Sequence, residues 1–366
     1  MKSDILLVGQ TPPPFHGQSV VTGMLFDHDW GGLRVERLRM AYSDSIDDVG
    51  KAGVGKVLHL LSLIWQTWIL VLKKHPEVLY YLPASANKTP VIRDIIYLAA
   101  VRWLFSKTVF HYHAGGLPEY LKSSGVLGKV AKRIYANADL SIDVIETSPA
   151  TGSLLLSKKS IVVRNGLDVE LCSSNRDKID IIQILYVGVL NEGKGIIQIV
   201  ETARILRGQN LSCMFKIVGG WVSSEFKEKV EILIQEYNLE EFFHFTGSLN
   251  GGEKWQTFAD ADCFFFPSHY EAETFGMVLV EAMAFSLPLV TTRWRGIPLV
   301  VEGEDCATLC DIKSPDQYAK ALKELIQNPE KRKLMGEASR KHYEGNYTRE
   351  KFVWAMEGAL RGVLKS

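Results

Sequence analysis

Short apolar runs recur along the chain, beginning with Ile5-Leu6-Leu7-Val8, and between them lie longer stretches whose apolar positions fall three or four residues apart. Runs of the first kind predict strands covered on both faces, and the second spacing predicts helices packed on one side. In the first half, strands are expected at 5–8, 33–39, 78–82, 108–112, 140–143 and 160–163, with helices at 17–26, 56–73, 89–105, 127–137 and 148–156. A polar stretch without periodicity, Leu171 to Asp180, then reads as a linker. A second series follows, with strands at 184–187, 214–218, 243–246, 263–266, 287–290 and 307–309. Its helices are expected at 195–207, 224–236, 253–258, 275–285, 316–327 and 331–343, and a last one spans 349–364. Alternation of this kind predicts an α/β fold of two Rossmann-like domains, 1–170 and 183–348, joined by a linker at 171–182 and followed by a C-terminal helix at 349–366. Facing one another, such domains form a cleft at the carboxyl ends of their strands, where ligands bind.

A length of 366 residues agrees with two domains. The balance of 42 Lys and Arg against 42 Asp and Glu leaves no nucleic-acid footprint. The charge is unevenly spread, with 19 basic against 13 acidic residues up to Asn165, and 23 against 29 beyond it. A basic first half suits an anionic membrane or a lipid-linked pyrophosphate acceptor. Solvated helix faces account for the same excess equally well.

The five cysteines form neither a disulfide framework nor a zinc spacing, which points to a reducing compartment and a cytoplasmic protein. The apolar run after Met1-Lys2-Ser3-Asp4 is too short for a signal peptide and reads as a first strand. One stretch needs separate treatment. Val57 to Leu72 is strongly apolar, holds Trp65 and Trp68, and is flanked by Lys56, Lys73 and Lys74. It is read as a helix buried against the sheet and short of a full membrane span, with interfacial membrane contact as the second reading.

The chemistry concentrates at Pro267-Ser268-His269-Tyr270-Glu271-Ala272-Glu273-Thr274-Phe275-Gly276-Met277-Val278-Leu279-Val280-Glu281-Ala282-Met283. An apolar strand feeds a loop and then an apolar helix, and Glu273 and Glu281 bracket the junction with seven residues between them. The start of such a helix is an anion site, because its first N–H groups lack intrahelical partners. Gly276 lets a ligand approach the backbone. Helical rise of about 1.5 Å per residue places the two carboxylates roughly 12 Å apart, about the span of a sugar diphosphate.

Three other stretches join this one. Tyr186-Val187-Gly188-Val189-Leu190-Asn191-Glu192-Gly193-Lys194-Gly195 is a strand, a Gly-rich turn and a helix start. It has the spacing of a phosphate loop but lacks the following Ser or Thr, so it is not a nucleoside triphosphatase motif. Gly9 to Ser19 is a loop stiffened by Pro12, Pro13 and Pro14, and Gly17 opens the next helix. His111-Tyr112-His113 ends a strand, without a third metal ligand at a fitting spacing.

The paired glutamates within strand-Pro-Ser before and Glu-Ala-Met-Ala-x-x-x-Pro after resemble the motif of the family 4 retaining glycosyltransferases, the group 1 glycosyl transferases of GT-B fold. The likeness extends over nearly the whole chain. It implies two facing Rossmann-like domains, the first on the acceptor side and the second binding the nucleotide sugar, with the last helix crossing back to the first. It implies a metal-independent retaining hexosyltransferase of bacterial surface-polysaccharide synthesis (lipopolysaccharide or capsule), with no cofactor and a nucleoside diphosphate sugar, UDP-linked by expectation, as donor substrate. The acceptor is then a saccharide or lipid-linked saccharide, met at the cytoplasmic side with peripheral contact to the inner membrane face. By the resemblance Glu273 holds donor-sugar hydroxyls and Glu281 the ribose, while Lys194 and the backbone at Phe275, Gly276 and Met277 face the diphosphate. His113 lies beside the donor sugar, Gly17 belongs to the loop closing on the ligands, and Leu249 follows the turn that holds the nucleobase. Val189 departs from the family, which places an Arg there, and Arg293 or Arg295 is the expected replacement. Two other readings stand beside this one: a GT-B sugar-nucleotide epimerase, and a non-catalytic nucleotide-sugar-binding partner protein.

Overall fold

The computed structural model describes residues 3–13, 17–41, 54–83, 85–113, 115–146, 149–176, 181–271, 273–302 and 305–366. Pro14 to His16 of the proline-rich loop, Ser148, Asp177 to Asp180 of the linker and Ala272 lie outside the described residues. The chain divides into two compact units, 1–166 with 349–366, and 167–348.

The first unit holds β1 (Ile5–Gly9), β2 (Val35–Arg39), β3 (Val78–Tyr81), β4 (Lys107–Tyr112), β5 (Leu140–Asp143) and β6 (Ser160–Val162), in one parallel sheet of order β2-β1-β3-β4-β5-β6. Its helices are α1 (Gly17–Asp27), α2 (Val54–Lys74), α3 (Lys88–Val101), α4 (Leu117–Ser123), α5 (Gly125–Tyr135) and α6 (Thr151–Leu154). The second unit holds β7 (Ile182–Val187), β8 (Cys213–Val218), β9 (Phe243–Gly247), β10 (Cys263–Phe266), β11 (Leu289–Thr292) and β12 (Ala307–Cys310), in the order β12-β11-β10-β7-β8-β9. Around it lie α7 (Ile196–Gly208), α8 (Ser224–Glu236), α9 (Gly251–Ala259), α10 (Met277–Ala284), α11 (Ile297–Val301), α12 (Pro315–Gln327) and α13 (Pro329–Asn346). The last helix, α14 (Arg349–Lys365), is part of the first unit: Arg361 donates to Trp30 O at 3.0 Å, and Lys107 donates to Val363 O at 3.0 Å.

In each sheet the chain runs outward in one direction and then returns to the other side of the starting strand. This places a switch between β1 and β3 in the first unit and between β7 and β10 in the second. At such a switch the loops after neighbouring strands diverge and leave a crevice at the carboxyl ends.

Four expectations need correction. The strand expected at 287–290 begins at Leu289, because Pro288 has no N–H for the ladder. The helix expected from Phe275 begins at Met277, after Gly276 at φ 69°. Four of the eight steps between Glu273 and Glu281 are therefore loop, and helical rise does not set their separation. The short helices α4 and α11 escaped the periodicity, each carrying a proline in its first turn.

The fourth correction is the largest. The apolar segment 56–74 is not a buried helix. It buries Leu60, Leu63 and Thr67 and leaves Val57, Leu58, Leu61, Trp65, Trp68 and Leu72 exposed. Nor is the helix short of a membrane span, since the 20-residue stretch Gly55–Lys74 is long and apolar enough to cross one by length and composition.

Candidate active site

The turn after β7 and the loop after β10 meet at the second unit's switch point. Lys194 N–H donates to Asn191 Oδ1 at 2.8 Å and Gly195 N–H donates to Glu192 O at 3.0 Å, closing the turn on itself. Gly195 has φ 86°, and a Cβ there would lie 2.3 Å from Pro267 O, so only glycine lets the turn rest against the end of β10. His269 N–H donates to Gly193 O at 2.7 Å and ties the two loops together.

This backbone arrangement brings Lys194 Nζ to 2.6 Å from Glu273 Oε2, and Ser268 Oγ donates to the same oxygen at 3.0 Å. The ammonium also lies over the Phe266 and Tyr270 rings, 5.3 and 5.1 Å from their centroids. Trp294 Nε1–H donates to Tyr270 O at 2.8 Å and fixes the loop from the β11 side. Glu273 is buried, and a charge-assisted bond of this length holds both charges in one geometry. Behind them stands the buried Tyr186, whose phenol is pushed well above its usual range first by burial and then by the charge of Glu273. It therefore remains a neutral donor, here to Val189 O at 3.2 Å.

The second carboxylate has its own lysine. Lys254 Nζ of α9 lies 2.6 Å from Glu281 Oε1, and over the Trp255 ring at 4.9 Å. Burial raises the Glu281 carboxyl above its ordinary value, and Lys254 draws it back down. Its other oxygen, Oε2, is buried and has no hydrogen-bond partner among the described residues. A carboxylate oxygen so placed can accept a further hydrogen bond. Reading the sequence did not find Lys254, because nothing near it in the chain shows that α9 reaches α10.

The remaining candidates fall as follows. Phe275 is buried edge-on to Tyr347, with ring centroids 5.7 Å apart, so a ligand contact there belongs to its backbone. Gly276 and Met277 form the start of α10, whose first N–H groups lack intrahelical acceptors. Leu249 is half-buried in the loop after β9. The structure does not bring Arg295 to the carboxylates: it is exposed, and its guanidinium lies over Trp294 at 5.4 Å. Val189, where a cation was expected, is also exposed.

In the first unit, Gly17 is the first residue of α1. His113 Nε2 lies 3.3 Å from His111 Nδ1, which is 2.6 Å from Tyr80 Oη. His111 is fully buried, and burial together with His113 pushes its pKa well below the usual value, so it is neutral. His113 thus rests on a rigid buried pair. Among the described residues no three His, Cys, Asp or Glu side chains gather to hold a metal ion.

The residues that build the second unit's site fall within a match to a known family, Glycosyl transferases group 1, over 174–342. Its second unit is a group 1 glycosyl transferase domain. The chain has relatives whose names place them in polysaccharide synthesis. One, from Escherichia coli K12 and provisionally named the colanic acid biosynthesis glycosyltransferase WcaL, is 30% identical over 175 residues, 46% of this chain and 41% of that protein. Another, the O-antigen chain mannosyltransferase C of Escherichia coli, is 26% identical over 275 residues, 71% of this chain and 70% of that protein. The chain spans about half or less of the length of the first curated relatives it matches. Among solved structures, Anabaena Alr3699/HepE in complex with UDP has a TM-score of 0.72 at 15% identity, over 98% of this chain and 100% of that one. That likeness is one of fold, the two-domain GT-B fold, and the transferase domain corresponds to half of it.

Proposed function

We propose that the protein is a retaining glycosyltransferase of cell-surface polysaccharide synthesis, moving a hexose from a UDP-sugar to a saccharide or lipid-linked saccharide. The observation that carries this reading is the pair Lys194–Glu273 at 2.6 Å, at the switch point and beside the open N-terminus of α10, within a group 1 glycosyl transferase domain. UDP as the nucleotude part of the donor is supported by the fold likeness to a UDP-bound protein.

In this reading Glu273 accepts hydrogen bonds from donor-sugar hydroxyls. The free oxygen of Glu281 accepts one from the ribose. Lys194 is shared between Glu273 and the diphosphate, whose developing charge is also met by the first N–H groups of α10. Preorganised donors of this kind contribute about 3 kcal/mol each, roughly a hundredfold in rate. The bond from the anomeric carbon to the diphosphate breaks as the acceptor oxygen bonds on the same face. The departing phosphate takes the acceptor's proton, so retention needs no protein nucleophile and the step needs no metal. To His113, held against His111 and Tyr80 within the first unit, this reading assigns the hydrogen bond to a donor-sugar hydroxyl that the family resemblance implies. The acceptor is met at the cytoplasmic side of a membrane, through peripheral contact.

The exposed Val189 favours a second reading, a nucleotide-sugar-binding protein without transfer activity. Calorimetry with UDP, GDP, ADP and CDP on wild type and Lys194→Ala separates the two from a protein with no donor site. Selective binding of UDP, weakened in the variant, together with turnover of a UDP-sugar, is the expected result. Binding without turnover would favour the second reading, and no binding would overturn both.

A further inference from the structure

Helix α2 has one side in the core, a polar stripe at His59, Ser62, Gln66 and Lys73, and an apolar side that the fold leaves uncovered. Leu60 and Leu63 enter the core of the first unit, and Thr67 Oγ1 lies 2.8 Å from the Tyr97 hydroxyl of α3. The opposite side presents Leu58, Leu61, Trp65, Trp68 and Leu72, spaced three and four apart and all exposed. The patch continues onto α3. Trp68 Nε1–H donates to Ala100 O at 3.2 Å, and its ring meets Trp103 edge-on at 6.1 Å. Trp103, Ile92 and Ile96 are exposed as well. An apolar surface of this extent on a monomer marks an interaction site.

The charge around it selects the partner. Lys73, Lys88, Lys129, Lys132 and Arg133 are exposed on α2, α3 and α5, and α3 packs against both other helices. The only acid in α2, α3 and α5 is Asp94, which is buried and accepts from the Tyr81 and Tyr135 hydroxyls at 2.8 Å each. Exposed Val126 and Val130 on α5 share a helix face with Lys129 and Arg133, by their three-and-four spacing. Apolar side chains and tryptophans flanked by cations, with no exposed acid, are the composition of a surface that sits in the headgroup region of an anionic bilayer. A protein partner would need its own acidic rim to match. Because α2 is docked along its length on the core, it presents one face to the lipid and does not cross the bilayer.

We propose that the outer face of α2, continued by Trp103 and the exposed face of α5, docks the protein on an anionic lipid surface, with α2 lying in the interfacial plane. This deepens the peripheral membrane contact proposed above. It concerns the first unit, so its test separates from the donor site of the second. The full chain is sedimented with vesicles of phosphatidylglycerol and phosphatidylcholine, and with vesicles of phosphatidylcholine alone, while tryptophan emission is recorded. UDP binding is measured on the same samples.

The wild type is expected to sediment with the anionic vesicles, with a blue shift in emission, and to bind phosphatidylcholine alone more weakly. Leu58→Ser/Leu61→Ser/Trp65→Ser, and separately Lys129→Glu/Arg133→Glu, should each weaken partitioning roughly tenfold or more while UDP binding persists. Both variants alter exposed side chains, and circular dichroism checks that they fold. Three results would overturn the proposal. The wild type stays in the supernatant, or both variants partition as the wild type does. The third is a wild type that forms a dimer which the serine variant dissolves, making a second copy of the chain the occupant. A wild type that binds UDP but not vesicles refutes the lipid face alone; one that binds vesicles but not UDP refutes the donor site alone.

Discussion

Helices α2 and α10 are both rich in apolar residues, and the fold treats them in opposite ways. Helix α10 is enclosed: Leu279 through Ala284 are buried, Arg340 of α13 donates to Ala284 O at 2.6 Å, and Ser339 donates to Leu287 O at 2.7 Å just beyond its end. Its one charged residue, Glu281, is carried into the interior and paired with Lys254. Helix α2 carries no acid at all and leaves half its circumference in solvent. Apolar composition thus states that a surface needs a non-aqueous neighbour; it does not state that the chain supplies one. For α10 the neighbours are α11, α13 and the sheet. For the outer face of α2, the described residues provide none.

The sharpest way to break this contrast is to truncate one leucine on each helix. Leu279→Ala removes a fully buried side chain and should cost about 2–5 kcal/mol in denaturant unfolding. If that variant were as stable as wild type, α10 would not be enclosed as described. Next comes the charge that α10 and its loop present. Glu273→Gln keeps the shape but releases Lys194, and transfer should fall roughly a hundredfold or more, about 3 kcal/mol, with circular dichroism unchanged. Turnover near normal would remove Glu273 from the site.

Lys254→Met tests the buried pair by pH. Burial already raises the Glu281 carboxyl, and Lys254 opposes that, so losing the lysine leaves the carboxyl higher still. Nucleotide binding that needs ionised Glu281 strengthens as pH rises through its pKa, and in the variant that rise should move to higher pH. At a fixed pH on the slope, binding should therefore be weaker in the variant than in the wild type. An unmoved profile would mean that Lys254 only packs. The smallest effect is expected on α2: Leu61→Ala should change stability by no more than about 0.5 kcal/mol, since its side chain already stands in water. A loss as large as that of Leu279→Ala would show the outer face to be covered.

The strands, the helix order and the paired-glutamate loop were legible in the chain, because period and turn chemistry are local properties. Ile5–Val8 and Cys263–Phe266 announce themselves as strands. Less legible were the ends of elements, where one proline moved the start of β11 and one left-handed glycine moved the start of α10. The partners of the carboxylates divided in the same way. Lys194 stood out within a Gly-rich turn, whereas Lys254, 27 residues before Glu281, had no local mark.

By itself, then, the sequence determined two α/β units, a site at a strand–loop–helix junction and a helix too apolar to be left bare. Backbone periodicity and the phi of a few glycines and prolines carry that information residue by residue. Only the tertiary structure decided which lysine meets which carboxylate, that one oxygen of Glu281 is left without a partner among the described residues, and that the apolar side of α2 faces outward. Those depend on which elements become neighbours, and burial is a property of neighbours, set by how sheets order their strands and helices cover them.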